Sequence, residues 1–308
     1  MQSKTIKSTR PPFLSNNFVR QSDTFEIILA RHYGMCFGVR DAIAMAEKAA
    51  GRGELTILGE LVHNEVVREK MKALGAREGD LFGPRATTRD VLVTAHGASD
   101  LEKSRWSDMG YSLRDSTCPL VKKAHTALAT LVAEGCFPVV IGKRDHVEVR
   151  GLMGDFPEAC VVECLEDLED LPERDKFGVV SQTTQPIGFV EGMVAAMEES
   201  FPGSEIYFRD TVCQPTKNRQ VALRELIAKC DLVFVVGGRN SNNSGQLVKT
   251  VREAGVEAEL ISGFDELRPD LLKDKARIGV TAGTSTQKSC VERVVKGLET
   301  LGGRRIEL

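Results

Sequence analysis

The chain has 308 residues, 42% of them hydrophobic and 28% charged, and its 41 Lys and Arg against 44 Asp and Glu leave a formal net charge of -3. That length suits one large domain or two to three small ones, and the composition is that of a soluble globular protein. The near-neutral balance gives no reason to expect a nucleic-acid partner, and no apolar run approaches the ~20 residues that a membrane-spanning helix needs.

Eight cysteines without a secretory signal point to a reducing, cytoplasmic setting, in which thiols serve metals, catalysis or packing. None of them form a CxxC pair, which excludes a compact zinc knuckle and a bacterial ferredoxin run. Residues 1–24 carry Lys4, Lys7, Arg10 and Arg20, a Pro-Pro pair and no acid before Asp23. This composition predicts a disordered basic tail. The alternative is a transit peptide, which would place the chain in a plastid or another organelle.

From residue 25 onward, short β-branched runs alternate with helical patterns. The predicted strands are 25–30, 55–58, 90–95, 138–142, 160–164, 177–181, 231–237, 257–261 and 277–282. Between them lie segments such as "RDAIAMAEKAAG" and "PTKNRQVALRELIAKC", whose apolar residues recur at helical spacing. Alternation of this kind predicts an α/β protein with mostly parallel strands buried under helices.

The chain also repeats itself. "DSTCPLVKKAH" at 115 has a counterpart in "DTVCQPTKNRQ" at 210, and Cys36 in "GMCFGV" likewise stands between a strand and a helix. A polar turn follows each cysteine at a matched interval: 27 residues from Cys36 to His63, 28 from Cys118 to His146 and 28 from Cys213 to Ser241. A second polar strand end follows in each repeat, marked by His96, Thr183 and Ser285. The chain is thus expected to form three similar α/β units, 25–114, 115–209 and 210–308, in a pseudo-threefold cloverleaf. Polar residues at strand ends line the ligand crevice of a parallel sheet, so this arrangement would bring three cysteines to one centre.

Three thiolates can hold zinc with a fourth ligand from histidine or water, or three irons of a [4Fe–4S] cluster with the fourth iron open to substrate. The surrounding polar shell favours the cluster. His63, His96, His146, Asn64, Ser241, Asn243 and Ser285 together suit a multiply charged oxyanion such as a diphosphate. Glu148 is the carboxylate expected to face the cavity, with Thr183 as a proton relay. Cys136, Cys160, Cys164, Cys230 and Cys290 read as small buried apolar residues. The basic helix starts at Lys122, Lys123, Lys217 and Arg219 either orient the field of a cluster or are simply solvated, and the second is the expectation, while Gly34 and Gly38 around Cys36 read as places of tight packing.

The motifs "GMCFGV", "LVHN", "AHG", "STCPLV", "HVEVRG", "SQTT", "DTVCQPTKNRQ", "NSNNS" and "TAGTS", in order from about residue 27 to 300, resemble the LytB/IspH family of 4-hydroxy-3-methylbut-2-enyl diphosphate reductases. The resemblance implies a cloverleaf around a [4Fe–4S] cluster held by Cys36, Cys118 and Cys213. It implies substrate binding by His63, His96, His146, Asn64, Ser241, Asn242, Asn243 and Ser285, and catalytic roles for Glu148, Thr183 and His146. The implied reaction is reductive dehydroxylation to isopentenyl and dimethylallyl diphosphates, the last step of the non-mevalonate isoprenoid pathway. Electrons would come from a ferredoxin or flavodoxin type donor.

Three details depart from the family pattern. His146-Val147-Glu148 stands where His-Pro-Glu is usual, which is expected to loosen the loop carrying Glu148. Ser241-Asn242-Asn243 replaces Ser-Ser-Asn, so Asn242 keeps a hydrogen-bonding group but lengthens it. "GTSTQ" replaces the usual "GAS" or "GASTP". A cluster-binding paralogue that acts on or senses another phosphorylated ligand is the alternative function. A three-cysteine zinc protein is a third.

Overall fold

The computed structural model describes residues 24–307, His63 and Asn240 excepted, and of Glu65 and Asn242 it describes the backbone alone. The tail expected over 1–24 therefore lies outside the described residues as far as residue 23, as do the substrate-binding roles expected of His63 and of the Asn242 side chain.

The chain opens with β1 (Phe25–Leu29) and α1 (Phe37–Ala50), followed by β2 (Leu55–Leu58), α2 (Glu65–Ala73), β3 (Ala76–Gly79), β4 (Asp90–Val93), α3 (Asp100–Asp108) and β5 (Ser112–Asp115). The same succession returns as α4 (Pro119–Ala133), β6 (Phe137–Ile141), α5 (Val147–Met153), β7 (Cys160–Val162), β8 (Lys176–Ser181), α6 (Ile187–Ser200) and β9 (Glu205–Phe208). It returns again as α7 (Gln214–Ile227), β10 (Leu232–Val236), α8 (Asn242–Glu253), β11 (Glu257–Ile261), β12 (Arg277–Ala282), α9 (Lys288–Thr300) and β13 (Gly303–Ile306).

These strands form three sheets with one plan: β3-β2-β4-β5, β7-β6-β8-β9 and β11-β10-β12-β1-β13. Every strand pair among the described residues is parallel. The α/β class and the three similar units expected from the sequence are present.

β1 departs from the division at 25–114. It pairs with β12 and β13 in the third sheet, Glu26 opposite Arg277 and Arg304. In that sheet β1 holds the place that β5 and β9 hold in the other two, beside the third strand of the repeat and leading to a cysteine. The first strand of the chain thus completes the last sheet, and each cysteine is delivered by the same strand position.

The strands visible in the sequence are all of the central ones, together with the edge strands β7 and β11. β2, β6 and β10 are buried along their whole length under helices on both faces, which requires continuous apolar runs. β3, β5, β9 and β13 were not expected as strands. They lie at sheet edges, mostly half-buried or exposed, so polar side chains are tolerated there and no apolar run marks them.

The helices turn small or apolar faces inward. α1 buries Gly38, Ala42, Ala46 and Ala49 against Leu55, Ile57 and Leu92, and α4 buries Ala124, Leu128 and Leu131 against Val140 and Val180. Full burial of a side chain such as Leu128 contributes about 1.5–3 kcal/mol.

The five outlying cysteines follow expectation only in part. Cys136 and Cys230 are buried, Cys160 and Cys290 half-buried, and Cys164 exposed. β7 ends at Val162, and Cys164 instead caps a short helical turn over Leu165–Leu168, its N–H donating to an Asp167 carboxylate oxygen at 3.1 Å. The strand is too short to carry the even spacing as far as Cys164.

Candidate active site

Every candidate site residue follows the C-terminal end of a strand, where a parallel sheet places its ligand crevice. Six of them are helix N-caps: Cys36, Asn64, Cys118, His146, Cys213 and Ser241 cap α1, α2, α4, α5, α7 and α8. A helix start presents unpaired N–H groups and the positive end of its dipole, so these positions favour anions. Proline in the first turn of α4 and α7, Pro119 and Pro215, starts those helices where its missing N–H costs nothing.

The cysteines are drawn together by close packing. A Cβ on Gly38 would come within 2.5 Å of Cys118 Sγ, so the start of α1 touches the second cysteine only because residue 38 is glycine. On the third side, the backbone of Thr183 joins two site groups. Its N–H donates to Glu148 Oε1 at 2.6 Å, and its carbonyl accepts from the N–H of Cys213 at 2.9 Å.

The electrostatics place these groups in one neighbourhood. Burial pushes the Cys118 thiol up, and nearby Cys36 and Glu148 push in the same direction, while the backbone N–H groups of Leu120 and Val121 pull it down. Burial also raises Cys213 against the Thr216 hydroxyl, 3.1 Å from its sulfur, and the Thr216 N–H. The N–H groups at the start of α4 thus favour the Cys118 thiolate, but burial outweighs them. Among the described residues no three His, Cys, Asp or Glu side chains are gathered as for a single metal ion.

Glu148 is 1% exposed, and burial pushes its carboxyl up to about 7 against the opposing hydrogen bonds from Thr183. The loosening expected from Val147 is not what the structure contains. Val147 occupies the first position of α5, packs against the first unit's core of Leu58, Val93 and Trp106, and leaves Glu148 pinned to Thr183.

His96 and His146 meet edge to face with ring centroids 5.5 Å apart. His146 Nδ1 accepts the N–H of Glu148 at 3.2 Å, which puts the proton of a neutral ring on Nε2. Both rings border a cleft of about 370 Å³ that also takes in Thr94, Lys143 and Glu60. A larger cavity of about 540 Å³, under α2 between Ile57 and Met71, touches none of the described candidate residues.

The remaining polar residues knit the turns to one another. Asn64 Nδ2 donates to the Ser285 carbonyl at 2.7 Å while its Oδ1 accepts from Val67 N at 3.2 Å, so its amide ties the first unit to the third. Asn243 Oδ1 accepts the N–H of Thr284 at 3.1 Å. Ser241 is 4% exposed, and its hydroxyl takes hydrogen bonds from the N–H and hydroxyl of Ser244. Ser285 is buried beside them.

The structure adds residues that the repeat did not single out. Ser244 is fully buried, with its hydroxyl against Gly237 and Gly283, and the carbonyl of Thr286 receives the N–H of Met35 at 3.0 Å, next to Cys36. Lys122 and Lys217 are surface residues paired with Asp115 and Asp210. Arg219, expected to be solvated like them, is instead 6% exposed. The signal was in the sequence: 216, 219, 223 and 226 share one face of α7, and that face is the buried one.

The three thiols, the buried Arg219 charge and the helix starts around them form a donor set that fits an anionic multi-iron centre. Comparison with known proteins agrees with this geometry. The profile of the LytB protein family matches residues 27–299. The chain is 35% identical over 289 residues to the 4-hydroxy-3-methylbut-2-enyl diphosphate reductase of Aromatoleum aromaticum, covering 92% of this chain and 93% of that protein. It is 34% identical over 288 residues to the protein of the same name in Haemophilus ducreyi, covering 91% and 92%.

Among solved structures, it resembles the E-1-hydroxy-2-methyl-but-2-enyl-4-diphosphate reductase of Plasmodium falciparum with a TM-score of 0.83, 27% identity and 92% of each chain covered. A structure of (E)-4-hydroxy-3-methyl-but-2-enyl diphosphate reductase, described as the terminal enzyme of the non-mevalonate pathway, matches with a TM-score of 0.67 and 30% identity over 90% of this chain and 99% of that one. With the family profile spanning nearly all of the folded chain and relatives above 30% identity along nine-tenths of it, the chain belongs to the LytB family.

Proposed function

We propose that this chain reduces 4-hydroxy-3-methylbut-2-enyl diphosphate to isopentenyl and dimethylallyl diphosphates, the closing step of the non-mevalonate isoprenoid pathway. The observation that supports this reading is that Cys36, Cys118 and Cys213 each cap the helix after the equivalent strand of the three sheets, while the buried carboxyl of Glu148 is held by the backbone of Thr183, which also binds Cys213. A [4Fe–4S] cluster held by those cysteines would relay two electrons, one at a time, from an external low-potential donor and would offer an iron with an open position. The allylic carbon–oxygen bond breaks, and the hydroxyl leaves as water after taking one proton. The two electrons and a second proton go to the carbon skeleton, which yields the two isomeric products.

The residues of the chain perform the remaining tasks. Glu148, buried and raised to about 7, keeps a proton in a substantial share of molecules at neutral pH, which suits a proton donor to a leaving hydroxyl. Thr183 places its peptide against that carboxyl and carries the relay hydroxyl. His96, His146, Ser241, Asn243 and Ser285, with the starts of α5 and α8, hold the diphosphate. Asn64 serves that task by tying the turn of Ser285 in place. His63 and Asn242 complete the shell, as the family resemblance implies.

The electron donor is a ferredoxin or flavodoxin type protein, and the setting is cytoplasmic. Among the described residues no helix is long and apolar enough to cross a membrane. The test is anaerobic purification, iron and sulfide analysis, and turnover of the hydroxylated diphosphate with a low-potential reductant. A cluster without turnover would favour a paralogue for another phosphorylated ligand, and a chain without a cluster would end the reading.

A further inference from the structure

Arg219 lies on α7, two turns beyond Cys213, on the face that packs into the protein. It is 6% exposed. One of its terminal nitrogens donates to the Gly34 carbonyl at 3.0 Å, two residues before Cys36. Its Nε is buried and has no partner. Among the described residues no carboxylate pairs with the guanidinium, and Cys36 and Cys213 are the groups that act on it electrostatically. A buried charge without a counter-charge is costly, and a protein retains one where something supplies the opposite sign.

The neighbouring geometry shows what this charge faces. The segment carrying Cys36 is gripped on one side by the Thr286 carbonyl, which receives Met35 N–H and lies 2.9 Å from where a Gly34 Cβ would be. Arg219 grips it on the other side. Arg219 therefore bridges the helix capped by Cys213 and the loop that delivers Cys36, and keeps one buried N–H without a partner.

We propose that Arg219 is a positioning residue whose buried guanidinium is the fixed counter-charge of the cluster bound by Cys36, Cys118 and Cys213. This rests on the function proposed above. Three thiolates on a [4Fe–4S] core leave a net negative group that becomes more negative on reduction, so a fixed positive charge beside two of the thiolates favours the reduced state and raises the potential. In the metal-free protein the same charge lacks the cluster as its partner. The guanidinium should therefore stabilise the loaded protein and not the empty one.

The test uses the full chain, purified anaerobically, as parent, Arg219→Gln and Arg219→Lys. Gln keeps a donor for the Gly34 carbonyl and removes the charge, while Lys keeps the charge. Two readouts are taken: the cluster's midpoint potential by EPR-monitored titration, and the Tm of each protein with the cluster and after its removal by chelation. We expect Arg219→Gln to move the potential to more negative values, lower the Tm of the loaded protein and leave that of the metal-free protein unchanged or higher. Arg219→Lys should stay near the parent potential.

Equal potentials in parent and Arg219→Gln, or an equal loss of Tm in loaded and metal-free forms, would overturn the proposal. So would an Arg219→Gln chain that fails to fold even without cluster, since that outcome makes the residue an ordinary structural tie. A parent that takes up no iron and sulfide would overturn the functional reading as well. A loaded parent whose potential ignores the substitution sinks this inference alone.

Discussion

The carboxylate oxygen of Glu148 receives the backbone N–H of Thr183 at 2.6 Å, and the carbonyl of the same residue holds the N–H of Cys213. The backbone of one residue thus links the proposed proton donor to a proposed cluster ligand, across two units of the fold. Glu148→Gln preserves the shape and the hydrogen bond and removes only the acidic proton. We expect kcat to fall by about 10²–10⁴, the usual contribution of a positioned acid, with substrate affinity retained. A rate unchanged from the parent would assign proton delivery to another group.

The same carboxyl sets a pH dependence. Its value in the folded chain, about 7, lies above the ordinary 4.5. The protonated form acts as donor, so turnover should decline as pH rises through about 7, and Glu148→Gln should lack that decline. For the metal-free fold, stability from this group is full below roughly 4.5 and is lost as pH rises through about 7, with an amplitude on the order of 3 kcal/mol. Denaturant titrations of parent and Glu148→Gln between these pH values measure it; parallel stability curves would contradict the burial of an ionisable group there.

Gly38→Ala separates helix propensity from site packing. In an ordinary helix interior alanine is favoured over glycine by about 1 kcal/mol. Here the added Cβ would stand 2.5 Å from Cys118 Sγ, so we expect displaced thiol geometry and reduced iron and sulfide per chain. A variant that gains stability and keeps its full cluster content would show that α1 and Cys118 are not in contact.

Asn64→Ala removes the N-cap of α2 and the donor to the Ser285 carbonyl together. A lost cap costs about 0.5–2 kcal/mol, seen as a lower Tm. The freed turn should also raise KM for the diphosphate more than it lowers kcat, because Asn64 holds a binding residue and does not act on the reacting bond. An effect confined to kcat would place Asn64 in the chemistry itself.

Much of this was legible in the sequence because the repeat is carried by chemically distinctive residues. Cys36, Cys118 and Cys213 recur before helices at matched intervals to polar turns, and the central strands are continuous apolar runs. The unread elements have physical reasons. β3, β5, β9 and β13 are edge strands whose polar faces carry no pattern, and β1 joins the third sheet through a pairing between the two ends of the folded chain, which no local signal encodes. Arg219 was misplaced because a basic residue near a helix start is usually solvated, although its spacing with Thr216, Leu223 and Leu226 put it on the inner face. Val147 was judged by the proline it replaces and not by the apolar core of the neighbouring unit that it fills.

The central claim is that three thiols from three repeated units hold one catalytic iron–sulfur centre. It is tested most directly by anaerobic purification of the parent and of Cys118→Ser, with iron, sulfide and turnover of the hydroxylated diphosphate measured on the same samples. The account requires about four irons and four sulfides per parent chain, formation of both isomeric products, and loss of cluster and turnover together in Cys118→Ser. A parent without iron and sulfide, or a Cys118→Ser chain that keeps an intact cluster, would contradict it.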